Sequence, residues 1–321
     1  MLATLTEPRN EQGYIYEIKW DGYRAVTMMH SSKLKLLSRN NKSYQEKFYP
    51  VYEALQHWDA DVIIDGEIVA LDNKGQPDFE SLQNWKSESN GELVYYVFDI
   101  VWWKGYNLTH VPLIERRKLL AQVLPKKNKV IRLSESFDAN ALDLLKEVSK
   151  IGMEGIMAKQ EDSLYVPGYR SHDWLKMKTG KRHEVVIGGY TQNEGTSKSF
   201  SALLVGVYKR GKLHYTGKIG TGFTEQMQKD MLRQMKPLIR KSSPFAEPVD
   251  FNKTSRFRPE PLHAKAFWLK PELVGEVAYT EMTTDGVMRH PSFKGLRQDK
   301  DAKKVEEEKV WKEPKKRKTK P

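Results

Sequence analysis

The 321-residue chain has no cysteine. That single absence removes disulfide frameworks, thiolate zinc sites, iron–sulfur clusters and cysteine nucleophiles, and it permits a reducing compartment. Long apolar runs are also lacking. The most apolar stretch, residues 94–103, is ten residues interrupted by Asp99, well short of the roughly 18–20 that a membrane-spanning helix needs. Residues 1–9 have no basic segment followed by an apolar one, so secretion has no support and a cytoplasmic location is expected. The eight histidines show no metal-ligand spacing. No G-x-x-x-x-G-K-[ST] string occurs, and in TGKIGTG the lysine is followed by isoleucine, which excludes a phosphate-binding-loop ATPase. There is no internal repeat.

What the chain does have is basic charge. Lys plus Arg number 54 against 42 Asp plus Glu, a net +12, so a polyanion is the natural partner. The excess is uneven. Residues 1–182 carry 26 basic and 25 acidic side chains, residues 183–308 carry 21 and 16, and residues 309–321 carry 7 and 1. The last segment, KVWKEPKKRKTKP, lacks apolar periodicity and reads as a basic tail or linker. A balanced first part and a positively biased second part suit an enzymatic domain followed by one that lies on a nucleic acid backbone.

The length predicts two domains. Residues 14–37, 62–71 and 93–103 are short β-rich runs separated by Gly, Asn and Asp. Pro112 should start a helix through LIERRKLLAQVL, with Leu119, Leu120, Val123 and Leu124 apolar. Asp138 should open a second helix, with Leu142, Leu145 and Val148 on one face and Gly152 closing it. Beyond residues 178–183 the texture becomes that of a small β barrel: VVIGGY, SALLVGVY and KLHYTGKIG, with a KRGK hairpin turn at 209–212. One helix interrupts it, with Met227, Met231 and Met235 as a core stripe. A Pro-rich connector, FRPEP, precedes a last strand, VGEVAYTEM, and a basic loop.

In YIYEIKWDGYR (residues 14–24), period-two alternation puts Ile15, Glu17 and Lys19 on one strand face before Asp21-Gly22 breaks the strand, so a lysine is presented at a turn. This K-x-D-G-x-R string, ending at Arg24, resembles the covalent nucleotidyltransferases: ATP-dependent DNA ligases, RNA ligases and capping enzymes. The later matches occur in that family's order: Ser38-Arg39-Asn40, Asp65-Gly66-Glu67, Tyr96 to Asp99, EGIMAK from Glu154 to Lys159, WLKMK from Trp174 to Lys178, and RHPSFKGLRQDK from Arg289 to Lys300. The last string, with MLATL and TGKIGTGF, is similar to the ligase module of bacterial ligase D-type end-joining enzymes. The resemblance covers roughly residues 2–304.

It implies an α+β fold: a nucleotidyltransferase domain of antiparallel, ATP-grasp-like sheets with helices over residues 1–182, an all-β OB-fold barrel over 183–304, and the basic tail from 305. It further implies Lys19 as covalent nucleophile toward ATP and Arg39 as a nucleotide contact. Glu67 would lie near the ribose and, with Glu154, at Mg²⁺ or Mn²⁺, and Phe98 would stack on adenine. Lys159, Lys176 and Lys178 would stand near phosphate, with Lys176 and Lys178 on one strand face and Leu175 and Met177 toward the core. Arg297, Asp299 and Lys300 would engage the β and γ phosphates, with Arg289 beside them. Arg24 and Asp21 belong to the first string. Glu17 is read two ways, as a contact to the adenine amino group or as a surface ion pair, and Arg170 is equally a structural or a phosphate-facing arginine.

The substrate implied is nicked duplex DNA, sealed through lysyl-AMP and DNA-adenylate, with double-strand-break repair as the setting and the 180s as a hinge. Bacterial Ku and linked polymerase or nuclease domains are the implied partners, around a monomeric, nucleoid-associated enzyme with no membrane partner. Only eighteen residues precede Lys19, so no separate N-terminal DNA-binding domain is expected. Whether the sequence is a module or a minimal ligase is open. The competing readings are an RNA ligase or GTP-specific capping enzyme, and a non-enzymatic barrel that binds nucleic acid, which would leave K-x-D-G-x-R unexplained.

Overall fold

A computed structural model describes residues 1–196, 198–252, 264–283 and 285–307. The FRPEP connector and residues 308–321 of the basic tail lie outside the described residues. The chain divides into two compact units that part between Thr179 and Gly180.

The first unit runs β1 (Leu2–Leu5), β2 (Tyr14–Ile18), β3 (Tyr23–His30), β4 (Lys33–Ser38), α1 (Tyr49–Gln56), β5 (Val62–Leu71), α2 (Phe79–Gln83) and β6 (Glu92–Trp103). It continues with β7 (Tyr106–Asn107), α3 (Leu113–Val123), β8 (Ile131–Leu133), β9 (Ser136–Phe137), α4 (Ala141–Lys150), β10 (Gly155–Gln160) and β11 (Arg170–Lys178). Two sheets form. One has the order β1-β11-β10-β2-β9, antiparallel except for the parallel β1–β11 pair. The other has the order β4-β3-β5-β6-β7, with β8 parallel to β6.

The long strands are the Val- and Ile-rich runs expected from composition. Ile64, Ile68, Val97 and Ile100 are fully buried in the main core, against α1 and the end of α3. The first sheet packs on α4 through Tyr16, Ala158, Leu175 and Met177. A smaller cluster of Ile15, Leu113, Tyr165 and Trp174 has Phe98 packed against it and so draws strands of both sheets together.

Two helix details depart from expectation. The cap of α4 is Asn140, whose side chain accepts from the Leu142 and Asp143 amides, so the helix starts at Ala141 and not from Asp138. That phase points Ala141, Leu144, Leu145 and Val148 inward and leaves Leu142 exposed. In α3, which follows Pro112 as expected, the buried positions are Leu113, Arg116, Arg117 and Leu120.

The second unit runs β12 (Arg182–Asn193), β13 (Ala202–Lys209), β14 (Lys212–Ile219), α5 (Glu225–Met235), β15 (Ile239–Arg240) and β16 (Ala264–Leu269). Then come β17 (Val274–Ala278), β18 (Glu281–Met282), β19 (Met288–Arg289) and β20 (Ser292–Leu296). Its sheet has the order β14-β13-β12-β16-β15; the start of β12 pairs with β17, which pairs in turn with β20. A bulge at Ile187–Gly189 separates the two halves of β12, so one long strand serves two different neighbours. The hairpin turn uses Arg210 and Gly211, both at positive φ. Met227, Met231 and Met235 of α5 are buried in the core, as the stripe predicts. The run VGEVAYTEM is two strands and not one, and it is not the last, because the basic segment after it supplies β19 and β20.

Candidate active site

Strand β2 ends at Ile18, so Lys19 stands just past the strand in the turn to β3. Its amide donates to the Gly155 carbonyl at 2.9 Å, fastening it to the start of β10. Two glycines allow this geometry. A side chain on Gly22 would put Cβ 2.2 Å from the Ile68 carbonyl oxygen, and one on Gly155 would put it 2.1 Å from that of Met177. The Asp21-Gly22 and Glu154-Gly155 pairs are therefore places where backbone approaches backbone. Glu154 is buried, and its carboxylate contacts the Lys19 ammonium and lies 4.0 Å from Lys178 Nζ. Lys176 and Lys178 alternate along β11 with Leu175 and Met177, which are fully buried. Lys19, Glu154 and Lys178 thus form one cluster.

A second cluster adjoins it across β2 and β10. Glu17 pairs with both Arg117 Nη1 and Lys159 Nζ at 2.8 Å. It is 1% exposed, so the ion pair is a buried one and the surface pair read from the sequence is corrected. The alternation itself explains the difference: Ile15, Tyr16 and Glu17 are all buried because β2 is covered on both faces. Lys159 Nζ lies 4.3 Å from the Phe98 ring centre and 4.4 Å from that of Trp174. Burial lowers the Lys159 pKa, opposed by the charge of Glu17. Phe98 is half-buried, edge-on to Trp174, with Arg24 5.7 Å from its ring.

Arg24 grips Asp65 bidentately at 3.0 and 2.5 Å, and Tyr165 donates to the same carboxylate at 2.7 Å. Burial alone would raise the Asp65 pKa, but the charge and hydrogen bonds of Arg24 bring it below its usual 3.8. Arg24 therefore shapes the framework. Glu67 sits opposite Arg24 on β5, with its side chain against the Gly22 backbone. Arg39 follows β4 in an exposed turn. Arg170 opens β11 and donates to the Ala3 carbonyl, which ties down β1.

In the second unit the expected phosphate-binding cations are paired with carboxylates. Arg297 holds Asp299 at 3.0 and 3.1 Å and Glu276 at 3.1 Å, and Lys300 holds Glu184 at 2.6 Å. Burial works against the Arg297 charge, but Asp299 and Glu276 more than reverse it and hold its pKa far above the ordinary value. Arg289 is exposed and pairs with Glu281.

Among the described residues no three His, Cys, Asp or Glu side chains gather as a metal cluster. Glu154, a buried carboxylate between ammonium groups, and Glu67 are nonetheless oxygen donors of the kind Mg²⁺ takes in small number, keeping waters and substrate oxygens for the rest.

Sequence reasoning does not single out Arg117 or Ser134, and it includes Asp65 and Trp174 in their strings without a role of their own. Arg117 binds Glu17, the Phe98 carbonyl at 3.2 Å and the Ser134 carbonyl at 2.7 Å. Its signal was present: Leu113, Arg116, Arg117 and Leu120 have the spacing of a buried helix face.

Two family models match the chain: the ATP dependent DNA ligase domain over residues 1–178, and the ATP dependent DNA ligase C terminal region over residues 196–300. The multifunctional non-homologous end joining protein LigD of Pseudomonas aeruginosa is 36% identical over 317 residues, 95% of this chain and 36% of the relative. The chain thus spans little more than a third of that protein. The SPbeta prophage-derived DNA ligase-like protein LigB of Bacillus subtilis is 30% identical over 265 residues, 80% of this chain and 92% of the relative. Among solved structures, a mycobacterial DNA ligase D complexed with ATP and MES is similar, with a TM-score of 0.64 and 30% identity over 95% of this chain and 97% of that one.

Proposed function

The chain belongs to the ATP-dependent DNA ligase family, and from that premise we propose that it seals nicks in duplex DNA through an adenylate carried on Lys19. The observation that supports this most is the Lys19 amine at a strand end, against a buried carboxylate that Lys178 also approaches.

Lys19 Nζ attacks the α-phosphorus of ATP, a P–N bond forms as the bond to pyrophosphate breaks, and lysyl-AMP results. A free lysine is only about one part in a thousand neutral near pH 7.5, so the reaction draws on the positive charge of Lys178, which shares Glu154 with it, and of Lys176 two residues before Lys178 on β11. Phe98 supplies a face for the adenine, Glu17 an acceptor for its amino group, and Arg39 and Glu67 contacts to the nucleoside. Arg297 and Lys300 accept the outer phosphates by exchanging carboxylate for phosphate, with Asp299 orienting Arg297. A divalent cation, held by Glu67 and Glu154, would neutralise phosphate oxygens when bound. The adenylate then passes to the 5′-phosphate of a nick, and the adjacent 3′-hydroxyl displaces AMP.

The division of labour follows the two units: adenylation in residues 1–182, backbone binding in an OB-type domain over 183–304. The likeness to LigD supports a setting in end joining, with a Ku-type partner and linked polymerase or nuclease activities, for a monomer acting at the nucleoid. Label from the α-phosphate of ATP should become covalently attached to the protein through a P–N bond that acid cleaves and alkali does not, and should then chase onto nicked DNA. Lys19→Ala should take up none while melting as the wild type does. Label on the alanine variant would overturn the assignment.

A further inference from the structure

Glu17 is a carboxylate approached by donors on three sides. Arg117 Nη1 and Lys159 Nζ each lie 2.8 Å from Oε1, and Ser134 Oγ donates to Oε2 at 3.0 Å. Arg117 and Ser134 each hydrogen-bond one oxygen and Lys159 adds an ion pair at Oε1; a carboxylate has about four acceptor sites, so Oε2 keeps one. The direction of the Ser134 hydroxyl is dictated by its other partner. Trp20 Nε1 can only donate, and it gives its hydrogen to Ser134 Oγ at 3.1 Å, leaving the hydroxyl hydrogen for Glu17. Trp20 is the residue after Lys19 and lies stacked on Tyr96 with ring centres 3.6 Å apart, so the chain of donors is anchored beside the nucleophile. Arg117 closes the arrangement, because the same guanidinium holds the Phe98 carbonyl and the Ser134 carbonyl. One side chain therefore fixes the acceptor, its hydroxyl partner and the strand that carries the aromatic ring.

We propose that Arg117 and Ser134 are positioning residues that make Glu17 select adenine over guanine. The proposal rests on the Phe98 face being the base site. Hydrogen-bonded by Arg117 and Ser134 and ion-paired with Lys159, the Glu17 carboxylate offers the base only an acceptor. Adenine presents an amino donor at its six position, where guanine presents a carbonyl oxygen. Guanine would set acceptor against acceptor in a buried place, and a site built to hydrogen-bond one group rejects an analogue that cannot reciprocate far more strongly than a merely apolar site does. Loosening Arg117 or Ser134 lets the carboxylate turn and blunts that rejection while leaving Lys19 in place.

The test is single-turnover labelling of Lys19 with ATP and with GTP, each labelled at the α-phosphate, alongside thermal melts. Ser134→Ala should lower the ATP-over-GTP preference by about tenfold, chiefly by weakening apparent ATP affinity and not the rate at saturation. Ser134→Thr, which keeps the hydroxyl, should restore the preference, a rescue that a general loss of packing would not give. Arg117→Lys should lower it further; if that variant does not fold, Ser134→Ala decides alone. Wild-type preference in a Ser134→Ala protein that melts normally would overturn the proposal. Glu17→Gln probes the reading beneath. If it retains the wild-type preference with Lys19 still labelled, base selection by Glu17 is refuted and the lysine assignment stands, whereas absence of ATP label on wild-type Lys19 would refute both.

Discussion

Asp99 is a carboxylate in the middle of an apolar strand, and its fully buried partner is Arg116, which holds both its oxygens at 2.8 and 2.9 Å and also donates to the Val111 and Ser163 carbonyls. Such a pair adds little net stability when intact, but removing one member leaves a buried charge uncompensated. Arg116→Met should therefore lower unfolding free energy by about 3–5 kcal/mol, read as a shift of the urea midpoint at unchanged slope; a shift below about 1 kcal/mol, the range of exposed pairs, would contradict the burial described. The sequence shows Asp99 plainly as a break in an apolar run, yet says nothing of which cation answers it. Hydrophobic patterning assigns arginines to solvent, so the helix stripe holding Arg116 and Arg117 reads as polar. The same bias gave Glu17 a surface pair. Lys19, Glu154 and Lys178 were legible because short ordered strings carry them, whereas Ser134 lies in no string and becomes visible only through its contacts.

At the scale of elements, the site depends on how closely β10 can lie against β11. Gly155 has φ +154 and no room for a side chain beside the Met177 carbonyl, and it joins Glu154 to the strand that holds the Lys19 amide. Gly155→Ala should part the two strands by about 1 Å and reduce the rate of Lys19 labelling by about a hundredfold, with a smaller effect on melting. Unaltered labelling would mean that strand spacing does not set the geometry. The strand runs of the first unit and the α5 methionine stripe follow from periodicity. The start of α4 does not, because Asn140 competes successfully with Asp138 for the cap and only the capped amides reveal which residue prevails. Short β19 and β20 were hidden by charge: Arg289, Lys294 and Arg297 make the segment read as a loop, while Met288, Phe293 and Leu296 supply the buried side chains that make it sheet.

For the whole molecule, the net charge of +12 is a statement about association and not about the fold. If backbone phosphates dominate, affinity for a nicked duplex should fall by about 10³-fold between about 50 and 200 mM salt and change little when the base sequence around the nick is varied. A sequence-dependent, salt-indifferent affinity would point to another mode of recognition. The organisation into two units was legible from the change of texture near residue 180, since the first part mixes β-rich runs with helical patterns and the second is strands joined by glycine-rich turns. The measurement that bears most directly on the whole account is mass analysis of the peptide containing Lys19 after incubation with ATP. A gain of ~329 Da on that lysine, lost on adding nicked DNA as sealed product appears, is the expected result; sealing by material in which the peptide stays unmodified would contradict it.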